Sequence, residues 1–149
     1  MEGYRRPPIE RREFRDQTGA VIPYGDRWRD TPSEDLPYSV VTHPERFAPL
    51  VDVARALDAA LPPAHRPGGD GLPVEFEETP YPGVVVRVAG YAFPFPACGC
   101  DACDEDVEGL ADQLEQLVEA VVEGRYEPRE NGFRYGGEWG ERSGWSNPG

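Results

Sequence analysis

Three cysteines, Cys98, Cys100 and Cys103, fall within six residues of one another in the stretch FPFPACGCDACDEDVEGLADQLEQLVEAVVEG, residues 93–124. C-x-C-x-x-C spacing lets three sulfurs converge on one soft or borderline cation such as zinc, whose structural sites use four tetrahedral ligands. Asp101, Asp104 or Asp106 can supply the fourth ligand, as can His43 or His65 if the chain folds over, and the surrounding carboxylates favour a cation's charge. A second cysteine pair, which would make the pattern far more specific, is missing.

Two other readings of the same thiols stay open. Cys100 and Cys103 form a C-x-x-C pair ahead of a helix, the arrangement of a thiol redox enzyme. The helix N-terminus lowers a thiol's pKa, but Asp101, Asp104, Glu105, Asp106 and Glu108 push it up, and no cationic side chain lies close in sequence to hold a thiolate. The third reading has the cysteines as small packing groups at a sheet-to-helix corner.

Other chemistry-bearing residues are less specific. His43 is conceivable as a general base, although its place in a capping turn is explained by hydrogen bonding alone. His65, among Pro, Arg and Gly, reads as a loop residue. Glu75, Glu77 and Glu78 have the type of a carboxylate pair in a glycosidase cleft, and equally that of solvated strand residues. The aromatic and glycine-rich tail can line a groove or pack as edge strands. No Ser–His–Asp order, phosphate loop or dinucleotide fingerprint is present.

The elements that must position these groups follow from periodicity. Val107, Leu110, Ala111, Leu114, Leu117, Val118, Val121 and Val122 recur at helical spacing, with acids at the start and Gly124 as a stop. A first helix is marked by Phe47, Leu50, Val51, Ala54, Leu57 and Leu61. Thr42 and Glu45 have capping-box spacing ahead of it, and Pro49 demands either a kink or a short turn before a helix that begins there. Tyr38 opens a short β-prone run. In LPVEFEETP apolar and acidic residues alternate, and PGVVVRVAGYAF reads as one more central strand joined to it by a hairpin. Pro94 and Pro96 make FPFP an extended edge segment leaving the sheet. Asn131-Gly132 signals a turn, with one or two further strands over 133–139.

Total charge narrows the partners. The 149-residue chain carries a formal charge of −13, has no lysine, and is long enough to bury one core. Residues 1–29 hold seven arginines against five acids, net +2, so the remainder sums to −15. Such a body repels phosphate backbones and anionic membranes, which excludes nucleic acid as a phosphate-bound ligand and favours a cation or a protein with a basic surface. That charge also suits an acidic inhibitor or immunity protein for a basic partner. No apolar run has membrane-spanning length, the N-terminal residues have no signal-peptide core, and three clustered thiols are not a secreted disulfide framework. The expectation is a cytoplasmic protein; its oligomeric state is left open.

The segments VTHPERFAPL (41–50), PGVVVR (82–87), FPFPACGCDACDE (93–105) and LEQLVEAVVEGRY (114–126) together resemble an actinobacterial domain-of-unknown-function family, number 6226. The resemblance covers roughly the second two-thirds of the chain. It implies a shared fold and no activity, and transfers no site residue. The expectation is an α+β protein, two main helices on an antiparallel sheet of about 3–5 strands. It comprises an irregular arm (1–37), packed on or trailing from a single domain (38–149). The leading functional reading is a non-enzymatic interaction domain with a zinc-type site at Cys98, Cys100 and Cys103.

Overall fold

The computed structural model describes residues 1–10, 12–22, 24, 43–80, 82–97, 105–129, 132–137 and 140–145. The β-prone run at 38–41 and the Thr42 half of the capping box lie outside these residues, as do Cys98, Cys100, Asp101, Cys103 and Asp104.

The fold is α+β: the described residues form two α-helices and six strands in two three-stranded antiparallel sheets. A 3-10 turn, Pro44–Phe47, leads into α1, Pro49–Ala60. Each begins on a proline, whose fixed φ suits a first helical position and whose missing N–H is not needed there. Pro49 therefore starts the helix rather than kinking it. Leu50, Val53, Ala54 and Leu57 are buried, so the apolar face includes Val53, while Val51 is half-buried at its margin. Leu61 is extended, with ψ 126°, as the following proline requires.

The loop after α1 is tightly wound. His65 Nδ1 lies 2.9 Å from the Leu72 carbonyl oxygen and the Gly71 N–H donates to the Ala64 carbonyl at 2.8 Å. A Cβ added to Gly69 would sit 2.3 Å from the Ala64 carbonyl oxygen and 2.5 Å from that of Pro63, and neither backbone atom can swing aside. Gly69→Ala is accordingly expected to lower the unfolding free energy by about 2 kcal/mol, read as a shifted urea midpoint. An unchanged midpoint would contradict this close packing.

Strands β1 (Val74–Thr79), β2 (Gly83–Val88) and β3 (Tyr91–Phe95) form the first meander, with β2 central. PGVVVRVAGYAF is thus not one strand but a second hairpin. Ala89 and Gly90 have φ of 49° and 86°, the paired positive φ of a tight hairpin turn. Alanine rarely takes that conformation, so the turn carried little signal. Phe93 and Phe95 remain in the sheet, and Pro94 is exposed on the edge strand, where a missing N–H is tolerated.

Helix α2, Val107–Val122, buries Leu110, Ala111, Leu114, Leu117, Val118, Ala120 and Val121. So wide a stripe serves two surfaces: α1 on one side, the strands at Tyr126–Arg129 and Gly132–Gly137 on the other. Gly124 at φ 76° ends it, with Gly124 N–H bonding to the Val121 carbonyl and Arg125 N–H to that of Ala120, a Schellman cap. Strands β4 (Tyr126–Arg129), β5 (Gly132–Gly137) and β6 (Gly140–Trp145) make the second meander. The tail supplies three strands, one more than its composition signalled, because Pro128 is accommodated on the edge strand β4.

The meanders meet through aromatic rings. Phe93 lies 4.9 Å from Phe133 and 6.4 Å from Tyr126, and Tyr91 lies 5.8 Å from Phe133, centroid to centroid. Edge-to-face contacts of this kind add about 0.5–1.5 kcal/mol each beyond area burial. The Tyr126 hydroxyl is buried here without a hydrogen-bond partner among the described residues. Burial, reinforced by Tyr91 and Tyr135, pushes its phenol up to about 12. A phenol raised above its unfolded value of about 10 contributes stability that is whole below that pH and is lost as pH climbs toward the folded value. Tyr126→Phe is therefore expected to leave neutral-pH stability unchanged or raise it by up to about 1 kcal/mol. It should also flatten the loss of stability between about pH 10 and about 12. Equally steep alkaline losses in both proteins would count against the buried phenol.

Candidate functional site

Phe14, Val21, Ile22 and Tyr24 supply one wall of the candidate site, and residues ahead of them are anchored to α2. Arg6 Nε donates to Glu115 Oε2 of α2 at 2.8 Å; its Nη2 also bonds Glu115 and Asp112, and the Tyr4 hydroxyl donates to the same Glu115 carboxylate. Burial and that carboxylate push the Tyr4 phenol well above its usual range. Further along, Arg15 and Val21 form an isolated antiparallel bridge around a turn built by Asp16, whose Oδ1 accepts from Thr18 N–H at 2.8 Å, the Thr18 hydroxyl at 2.6 Å and Ala20 N–H at 3.1 Å. Those donors hold the Asp16 carboxyl below the usual range, the Thr18 hydroxyl most of all.

His43 stands at the head of the Pro44–Phe47 turn but makes no side-chain cap bond. Its Nδ1 lies 2.7 Å from the Tyr24 hydroxyl oxygen, and its ring is 4.7 Å from that of Phe14. One turn on, the Arg46 guanidinium rests 4.1 Å from the Tyr24 ring centroid and 4.2 Å from that of Phe47, while its Nη1 donates to the Glu105 carbonyl at 2.9 Å. The turn that carries His43 is therefore joined to the residues just beyond the cysteine segment.

That segment has a closed base. Glu105 Oε2 accepts from the Ala97 N–H at 3.1 Å, tying together the residues that flank 98–104. Asp106 is the N-cap of α2, accepting from Gly109 N–H at 3.2 Å. The acids thus divide their work: Asp106 caps, Glu108 lies in the first turn, and Glu105 turns back to the end of β3. Beside this corner a cleft of about 330 Å³ opens between residues 10–24, the Pro44–Phe47 turn and the start of α2.

Among the described residues no three His, Cys, Asp or Glu side chains gather to hold a metal ion; the three cysteines, Asp101 and Asp104 are not among them. His65 is bonded within its own loop. Glu77 pairs with Arg87 at 2.9 Å and Glu78 with Arg55 at 2.5 Å, and the strand pleat sends these neighbours to opposite faces. Arg55 holds the Glu78 carboxyl below its usual range. These are solvated strand acids, as one of the two sequence readings has it. The Phe14–Tyr24–His43–Arg46 cluster had no periodic signal, because its members come from segments that meet only in the folded chain.

A family model described as a family of unknown function, DUF6226, matches residues 10–66 and 61–148. The chain belongs to DUF6226. Neither the curated proteins nor the solved structures contain a match to it. The DUF6226 fold seen here has no helix, among the described residues, long and apolar enough to cross a membrane.

Proposed function

We propose that the protein is a non-enzymatic interaction domain of the cytoplasm. In this reading the corner between β3 and α2 is tied by a zinc-type ion on Cys98, Cys100 and Cys103. One observation carries the reading: the hydrogen bond between Ala97 N–H and the Glu105 carboxylate. It holds together the two described residues that flank 98–104, so the ends of the stretch that carries the three thiols are close, which shortens the search for a common centre. The fourth ligand comes from Asp101, Asp104 or His43. For His43, Nδ1 is engaged by the Tyr24 hydroxyl, so Nε2 would face the ion and Tyr24 would orient the ring, as partners of metal-bound imidazoles do. Asp106 is the weaker donor because one of its oxygens caps α2. The partner is a protein with a basic surface, in keeping with the charge of −13.

Elemental analysis of the full chain purified without added metal tests this reading. About one equivalent of a transition metal is expected, and under about a tenth of an equivalent would overturn it. Alkylation of the native thiols against pH separates it from thiol catalysis, in which reactivity persists well below the free-thiol pKa of about 8.5.

A further inference from the structure

We infer that the cleft between residues 10–24 and the start of α2 receives a basic side chain of the partner, an arginine or lysine together with an apolar neighbour. This rests on the proposal above only for the partner's being basic. At about 330 Å³ the cleft is at the lower end of ligand-sized sites, which run from about 300 to 1,000 Å³. That is room for one long side chain and part of the next. The apolar part of its lining is Phe14, Val21 and Ile22 from the first segment, with Pro49 and Val107 from the two helices. Val21 is 46 % exposed, the sole large apolar side chain so exposed among the described residues.

The lining carries four carboxylates, Glu10, Glu13, Glu45 and Asp106, against the guanidinium groups of Arg12 and Arg46. Both cations are drawn onto rings, Arg12 at 5.4 Å from Phe14 and Arg46 onto Tyr24 and Phe47. Glu13 is paired with Arg15 at 2.9 Å. Glu10 and Glu45 have no ion-pair partner among the described residues. A cation whose aliphatic stem lies on Val21 and Val107 while its head meets these two carboxylates satisfies both halves of the lining. The Asp16 turn and the Arg15–Val21 bridge hold one wall in shape beforehand, which limits the ordering that binding must supply.

Titration of the full chain with acetyl-Leu-Arg-Leu-amide, followed by NMR, tests the inference, with the citrulline peptide as neutral isostere. Amide shifts are expected at Val21, Ile22 and Val107, with the citrulline peptide about tenfold weaker. The Glu10→Gln/Glu45→Gln variant should bind the arginine peptide about fivefold more weakly with unaltered thermal unfolding. Equal binding of the two peptides, shifts confined elsewhere, or no shift at millimolar peptide would each overturn the assignment. Zinc measured on the same samples separates the two ideas. Full metal content with no peptide binding removes the cleft assignment alone, and equal peptide binding by metal-free and metal-loaded chain supports it independently of the corner.

Discussion

Replacing Phe47 with alanine is expected to remove about 3–5 kcal/mol of stability, the range for truncating a fully buried aromatic. Phe47 has 0 % exposure and belongs to the core that includes Leu50, Val86 and Leu114. Domains of this size are stable by about 5–15 kcal/mol in total, so the variant would stand near unfolding at ambient temperature. Its ring also seats the Arg46 guanidinium, whose bond to the Glu105 carbonyl anchors the far end of the cysteine segment. Phe47→Leu preserves most of the volume and should lose under about 1.5 kcal/mol. Urea denaturation of both variants checks the prediction; a loss under about 1 kcal/mol for the alanine variant would show that the site collapses around the vacancy.

The second large effect concerns the thiols. Cys100→Ser is expected to take bound metal from about one equivalent to under about a tenth, since a hydroxyl is a poor zinc ligand beside thiolates. The loss of stability should be partial, because the described core of α1, α2 and β2 is held by aliphatic and aromatic side chains. An ion held at about 1,000 times its dissociation constant contributes about 4 kcal/mol, and at about 2–4 °C per kcal/mol a chelator should lower the melting temperature by about 8–16 °C. Melting curves with and without chelator provide the check. If the chelator shifts nothing and Cys100→Ser holds as much metal as the parent chain, the corner has no ion, and packing and thiol chemistry are the readings left.

Local features were the most legible. The α2 stripe and its glycine stop follow from spacing, because each residue's burial depends on neighbours three and four positions away. The β1–β2 hairpin was legible from the two-residue alternation of Val74 and Phe76 with Glu75 and Glu77. At the cysteine segment the candidate ligands could be named from residue type alone. That Glu105 would reach back to Ala97 could not, since an acid ahead of a helix serves equally well in its first turn.

What went unread depended on pairings distant in sequence or on a turn residue in an unfavoured conformation. Arg6 and Glu115 are 109 residues apart, and neither type nor spacing selects Glu115 among the many acids. The Ala89-Gly90 turn was hidden because alanine seldom accepts positive φ; here strand pairing on both sides, Val88 to Tyr91 and Val86 to Phe93, holds it there.

Residue order alone therefore determined the helices, the leading antiparallel hairpin and the acidic body, and it named the candidate ligands of the proposed ion. All are consequences of periodicity, composition and near-neighbour chemistry. Tertiary structure decided that the strands divide into two meanders joined by aromatic rings. It also decided that His43 is gripped by Tyr24 and Phe14, and that a cleft opens beside the α2 N-terminus. Those outcomes turn on which distant surfaces fit and bury one another, a choice among many partners of similar chemistry that packing density and buried hydrogen bonds resolve only in the assembled chain.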